Sequence, residues 1–355
     1  MNNFNYKALP WNIVFGVGSL QHLPSKLDDL GYNCALVLST SQQADQGRMI
    51  SELLDNRAAG LFSEAAMHVP METVYKAEAE AKKVNADCTV SIGGGSTTGL
   101  SKALALRMGL PNIVIPTSYA GSEMTDIWGM TENGRKVTGR DDHVVPTLTI
   151  YDPELTLSMP AAFTGASGLN ALAQAVVNVA SADANPIVMM MALEAVRALS
   201  KGLQKLNNNP NDIEARSAAL YGACLAGGSL GTGATSLHHR LCHTFGGTFN
   251  TPHAETHTIL LPHCVAYNSA ATKDGTRRLA EALDVENAGL GIFELAKTLG
   301  VVTALKDIGI TESDLDRAAA IATEVPVKNP EPVSTKRVRK LLENAFYGLP
   351  PQPIS

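Results

Sequence analysis

The chain has 355 residues, 45% of them hydrophobic, and a formal net charge of −6. That length accommodates two domains with their own cores, and the acidic balance, without a basic stripe, excludes nucleic acid as an expected partner. Met1 to Gly18 carry no basic segment followed by an apolar run, and every apolar stretch is interrupted well short of the about 18 residues a spanning helix needs, so a cytoplasmic protein with no membrane partner is expected.

Short β-branched runs recur at 12–15, 34–39, 88–92, 113–116 and 148–151, separated by helix-like segments. The alternation predicts a Rossmann-like α/β domain with a mainly parallel sheet over residues 1–155. Past Pro160 the pattern changes to long Ala/Leu/Met-rich stretches such as Pro186 to Leu206 and Asp212 to Leu225, with helical spacing of apolar residues. These predict an all-α domain over 156–355. Asp152-Pro153 and Pro160 mark the boundary, because proline keeps the residue before it extended. No repeat with a period of about 20–50 residues is present, and the proline-rich Gly348 to Pro353 reads as a surface arm. Five scattered cysteines (Cys34, Cys88, Cys224, Cys242, Cys264) without a C-x-x-C pair fit reduced thiols packed in cores.

The predicted strand at 88–92 runs into Gly93-Gly94-Gly95-Ser96-Thr97-Thr98-Gly99, and Leu100 to Leu106 has good helix-forming composition. Strand, glycine loop and helix together let backbone N–H groups and a helix N-terminus approach a pyrophosphate, although a bare glycine run reads equally well as a turn. The strand at 113–116 ends in Thr117-Ser118, two hydroxyls beside the loop at the carboxyl edge of the sheet, where doubly wound sheets bind ligands. Further on, His238, His239, His243, His253, His257 and His263 concentrate most of the chain's imidazoles in one short segment, the side chain best suited to proton transfer near neutral pH.

Phe15-Gly16-Val17-Gly18-Ser19-Leu20, the loop Gly93 to Ser96, PTSYAGSEMT at Pro116 to Thr125, YDPEL at Tyr151 to Leu155 and NTPH at Asn250 to His253 together resemble the iron-containing alcohol dehydrogenases along nearly the whole chain. The resemblance implies that Gly94, Gly95, Ser96, Thr117, Ser118 and Ser122 hold the cofactor phosphates and that Lys136 reaches the nicotinamide ribose. Thr40 falls where some relatives place an Asp that repels a 2′-phosphate, so NADH and NADPH are both expected cofactors. A homodimer is implied as well.

Metal-dependent members place an Asp and a His four residues apart on one helix and two more histidines on the following helices. The matching positions here are Asn170, Gln174, His239 and His253. Neutral amides are weak ligands for a divalent first-row ion, so no metal is expected.

The lost acidic ligand, Gly99 where relatives often carry Asp, the segment Tyr119 to Thr125 and Thr138-Gly139-Arg140 resemble the maleylacetate reductase branch. This implies NAD(P)H-dependent reduction of the conjugated C=C bond of maleylacetate, with its chloro derivatives as further candidates, to 3-oxoadipate in aromatic-compound degradation. The resemblance assigns His243, His253, His239 and Asn170 to catalysis, and Gln174, Tyr119 and Arg140 to a small dicarboxylate substrate. Two alternatives remain: another alcohol or carbonyl dehydrogenase of the same superfamily, and a non-catalytic nucleotide-binding paralogue.

Overall fold

The computed structural model describes residues 3–132, 134–179, 185–233 and 236–354. Contacts divide the chain into two units, one over Ala8–Met159 and one over Pro160–Ser355 together with the start of the chain.

The first unit runs β1 (Ile13–Phe15), α1 (Leu23–Leu30), β2 (Ala35–Leu38), α2 (Ala44–Leu54), β3 (Ala58–Phe62), α3 (Met71–Lys83), β4 (Cys88–Gly93), α4 (Gly95–Met108), β5 (Asn112–Pro116), β6 (Ile127–Glu132), β7 (Arg135–Arg140) and β8 (Leu148–Tyr151). Six strands make a wholly parallel sheet in the order β1-β8-β5-β4-β2-β3, while β6 and β7 pair as a separate antiparallel hairpin. Both faces of the sheet are covered, which is why its central strands read as continuous apolar runs rather than alternating ones. Ala35, Val37, Val90 and Ile92 pack with Leu23, Leu27 and Ile50 of α1 and α2. Leu36 and Leu38 pack on the other face with Val74 and Ala77 of α3 and Leu100 and Leu104 of α4.

From β2 the chain builds outward to β3, crosses back through α3 to β4, and then builds the opposite way to β5. The sheet's direction of growth therefore reverses between β2 and β4, and the crevice outside the carboxyl ends of those strands is where an open α/β sheet takes a ligand.

The second unit is helical: α5 (Ala161–Val179), α6 (Pro186–Asn208), α7 (Ile213–Thr232), α8 (Leu237–Phe249), α9 (His253–Asn268), α10 (Lys273–Leu283), α11 (Ala288–Thr298), α12 (Asp314–Thr323) and α13 (Thr335–Tyr347). One core joins α8, α9, α12 and α13 through Leu241, Phe245, Leu260, Leu315 and Leu341. The helices α5, α6 and α7 pack against one another, and α5 also packs on α9. The proline-rich tail is not helical; Ile354 folds back onto the same core, where its carbonyl accepts from Arg337. Among the described residues no helix is long and apolar enough to cross a membrane.

Candidate cofactor cradle and histidine site

At the end of β4, Gly93 takes φ 143°, a conformation side chains avoid. A Cβ there would also stand 2.6 Å from Gln43 Oε1 and 2.7 Å from Thr97 Oγ1. Gly94 caps α4 and contributes no side chain, so the first N–H groups of the helix are left for an outside acceptor. Gly95 is exposed, and the nearest atom to its would-be Cβ is Ala120 Cβ at 3.8 Å. The loop is thus open at Gly95 and closed around Gly93, the shape a phosphate cradle needs.

Neighbouring strands complete it. The β4–β5 register sets Gly93 beside Pro116, and Thr117 N–H donates to Gly93 O at 2.9 Å. Ser118 Oγ lies 2.8 Å from where a Gly94 Cβ would stand. Thr40, half-buried after β2, donates to Gln43 Oε1 at 3.3 Å, and Gln43 Nε2 donates to Thr117 Oγ1 at 2.9 Å. The residues expected to hold cofactor after β2, β4 and β5 therefore come together at one sheet edge. At Gly99 a Cβ would meet Val69 Cγ2 at 2.6 Å, so any side chain there requires Val69 to shift.

The segment after Ser118 is pinned from below by Lys102 on α4. Its buried Nζ lies within hydrogen-bonding distance of four acceptors that share its hydrogens: Ser122 O at 2.6 Å, Thr125 O at 2.7 Å, Thr125 Oγ1 at 3.0 Å and Ile127 O at 2.9 Å. Burial pushes Lys102 down to about 7, against the pull of Glu123 and Asp126. Burial raises the Glu123 carboxyl, whose Oε1 accepts from Tyr151 at 2.9 Å. Tyr119 is fully buried. Lys136 and Arg140 are exposed on β7, with Arg140 2.7 Å from Asp126.

In the helical unit, α8 places His239 and His243 one turn apart, and α9 does the same for His253 and His257. Asn250, at φ 52°, ends α8 and Pro252 starts α9, turning the two helices so that their histidines meet. Ring centroids stand 4.3 Å apart for His253 and His257, 5.3 Å for His239 and His257, 5.0 Å for His238 and His257, and 6.4 Å for His239 and His243. His243 and His253 are exposed, whereas His238, His239 and His257 are buried.

Burial separates the cluster into two chemistries. It pushes His238 down to about 4 and holds His239 and His257 well below the usual imidazole range, with the neighbouring histidines adding to the effect for the last two. Burial thus disfavours the protonated form of His239. His238 Nε2 faces His257 O at 3.1 Å, which fixes the proton on Nε2 because a carbonyl only accepts. His239 Nδ1, both ring nitrogens of His257 and Asn170 Oδ1 are buried without a hydrogen-bond partner, an arrangement that costs stability unless a ligand or water completes it. His263, apart from this group, is buried against Phe293.

Asn170 and Gln174 lie one turn apart on α5 and are both buried. The four positions matching a metal centre thus offer two amides and two imidazoles with no carboxylate, a poor fit for a divalent iron. Among the described residues the one trio with ring nitrogens all within 4.8 Å is His238, His239 and His257, which again lacks an anion and omits three of the four positions. Sequence reasoning missed Gln43 and Lys102 altogether and left His238 and His257 undecided; for the histidines, crowding was the available signal.

Comparisons with known proteins agree with this architecture. The model of the iron-containing alcohol dehydrogenase family matches residues 10–153, and that of the family's C-terminal part matches 164–346. A maleylacetate reductase of Burkholderia cepacia is 49% identical over 99% of this chain and 100% of its own length. One of Sphingobium indicum is 48% identical over 98% of this chain and 99% of its own. The crystal structure of maleylacetate reductase from Agrobacterium tumefaciens, 47% identical, superposes with a TM-score of 0.96 over 99% of this chain and 100% of that one. With full-length relatives at this identity and both family models matched, the chain belongs to the iron-containing alcohol dehydrogenase family, a family of NAD(P)-dependent oxidoreductases.

Proposed function

We propose that the chain reduces the conjugated C=C bond of maleylacetate to 3-oxoadipate with NADH or NADPH, and that it does so without a catalytic metal. The observation that carries this reading is the carboxylate-free set of two buried amides and two imidazoles on α5, α8 and α9, in a chain whose full-length relatives are maleylacetate reductases.

Gly94, Gly95, Ser96, Thr117, Ser118 and Ser122 hold the cofactor phosphates, Thr40 faces the adenosine ribose, and Lys136 the nicotinamide ribose. When bound, NAD(P)H supplies hydride to the carbon β to the ketone. Negative charge then develops on a delocalised enolate oxygen, which hydrogen bonds from the Asn170 amide and the neutral His239 ring meet in a dry site. The carbon next to the ketone takes its proton from His243 or His253, the two exposed rings of the cluster. Gln174 and Arg140 serve the substrate; Tyr119, expected to join them, is fully buried and instead supports the segment leading to Ser122. With a net charge of −6, the protein must meet a dianion with local charge, and Lys136, helix N-termini and Arg140, whose charge Asp126 partly offsets, supply it.

The direct test follows nicotinamide absorbance with maleylacetate, chloromaleylacetates and simple aldehydes as substrates. Maleylacetate-dependent oxidation of NADH is expected, with NADPH within about a hundredfold. Turnover of aldehydes alone would instead place the chain among the carbonyl dehydrogenases of the family. A homodimer in the cytoplasm completes the proposal, the former tested by light scattering of the purified protein.

A further inference from the structure

We infer that Gln43 is a positioning residue of the cofactor cradle, which acts by fixing the direction in which the Thr117 hydroxyl donates. The inference rests on the reading of Thr117 as a phosphate contact.

Gln43 leaves the β2 side of the switch point and crosses to the β5 side. Its Nε2 donates to Thr117 Oγ1 at 2.9 Å and to Gln46 Oε1 at 3.0 Å, while its Oε1 accepts from Thr40 at 3.3 Å. The amide is therefore held at both ends, with its NH2 group toward Thr117 and its oxygen toward Thr40. Gly93 leaves the room for this crossing, because a Cβ there would stand 2.6 Å from Gln43 Oε1.

The consequence lies in the direction of one hydrogen. A hydroxyl has one hydrogen to give and two lone pairs. Since Thr117 Oγ1 spends a lone pair on Gln43, its hydrogen must point elsewhere, and among the described residues no acceptor takes it. It remains available for an anionic oxygen seated on the Gly94–Ser96 loop, where a donor oriented in advance avoids the cost of ordering on binding. Thr40 enters the same chain of bonds: its hydroxyl holds Gln43, so the residue beside the ribose is coupled to the phosphate contact.

The test is a double-variant cycle on NADH dissociation constants, with melting temperatures confirming that each variant folds. Thr117→Val removes the donor and should weaken NADH about tenfold, as expected for a hydrogen bond to a charged group. Gln43→Leu should weaken it by up to the same factor, and the double variant should bind no worse than Thr117→Val alone, because Gln43 has nothing left to act through. Gln43→Glu, nearly the same shape, replaces the amide donor with a carboxylate that captures the Thr117 hydrogen, and it should weaken NADH more than Gln43→Leu. If Thr117→Val weakens NADH but the two losses multiply to about a hundredfold, Gln43 acts independently and the inference fails while the cradle stands. Tighter binding by Gln43→Leu would show a side chain that obstructs the cradle and would overturn it too. Unchanged affinity in Thr117→Val would remove the phosphate contact itself, and the inference with it.

Discussion

The two functional regions of this molecule are built on opposite principles. At the sheet edge the backbone shapes the proposed site: a glycine in a conformation closed to other residues, an exposed Gly95 and the first N–H groups of α4 make a cradle defined by what is missing from the side chains. In the helical unit the side chains make the proposed site, with five imidazoles from α8 and α9 in ring contact and two amides on α5. A backbone site announces itself in sequence because only glycine can make it. A side-chain site is known only through the identity of each residue, and here two of the four matching positions, Asn170 and Gln174, carry amides at the expected spacing.

The contrast is sharpest in acid. The helical unit buries His238 and His263, each pushed down to about 4 by burial, whereas the cradle contains no imidazole. Below the unfolded value of about 6.5 the unfolded chain takes up protons that the folded chain refuses, so stability present above that pH is lost as pH falls toward 4. Each residue contributes up to about 3 kcal/mol to that loss. Thermal melting between neutrality and pH 4 should show it, and His263→Gln, which replaces a titrating group with a neutral one, should flatten the decline. An equal decline in that variant would mean that His263 is ionised when folded.

A second way to separate the regions is to remove one exposed ring at a time. His243→Ala and His253→Ala should each lower kcat by about a hundredfold or more if they supply the proton or orient the ring that does, with little change in NADH affinity. Full kcat in both variants would move the proton source to a group outside the cluster.

On the cradle side, Gly95→Val tests the backbone principle cleanly, because the protein leaves the space beside Gly95 open and only a ligand would object to the side chain. NADH affinity should fall about tenfold, or 1.4 kcal/mol on the affinity scale, while the melting temperature barely moves. Unchanged affinity would show that the pyrophosphate does not approach Gly95.

Several parts of this architecture were open to sequence reasoning, and the exceptions have physical causes. The strands at 12–15, 34–39, 88–92, 113–116 and 148–151 were visible because a sheet covered on both faces demands apolar β-branched runs. Strand β3, Ala58-Ala59-Gly60-Leu61-Phe62, has no β-branched residue and exists through its pairing with β2 at the sheet edge. The β6–β7 hairpin buries no face of its own, so no alternation marked it. At the site, Gly94, Gly95, Thr117 and Ser118 followed from their place after strands. Gln43 did not, because a polar residue at the start of a helix is ordinary until the sheet order brings Thr117 to it. The sequence showed crowded histidines, but the division into two exposed and three buried rings depends on how α8 and α9 turn at Asn250.

The central claim is that amides at positions 170 and 174 leave a site that works without a metal. Purified enzyme should be treated with a strong chelator, analysed for elements, and assayed for maleylacetate-dependent NADH oxidation before and after. The account predicts retained turnover with far less than one iron or zinc per chain, because Asn170 and Gln174 give no charge compensation to a divalent ion and the delocalised enolate needs only hydrogen bonds. A stoichiometric metal whose removal abolishes turnover, and whose return restores it, would contradict the account and place the chain with the metal-dependent members of its family.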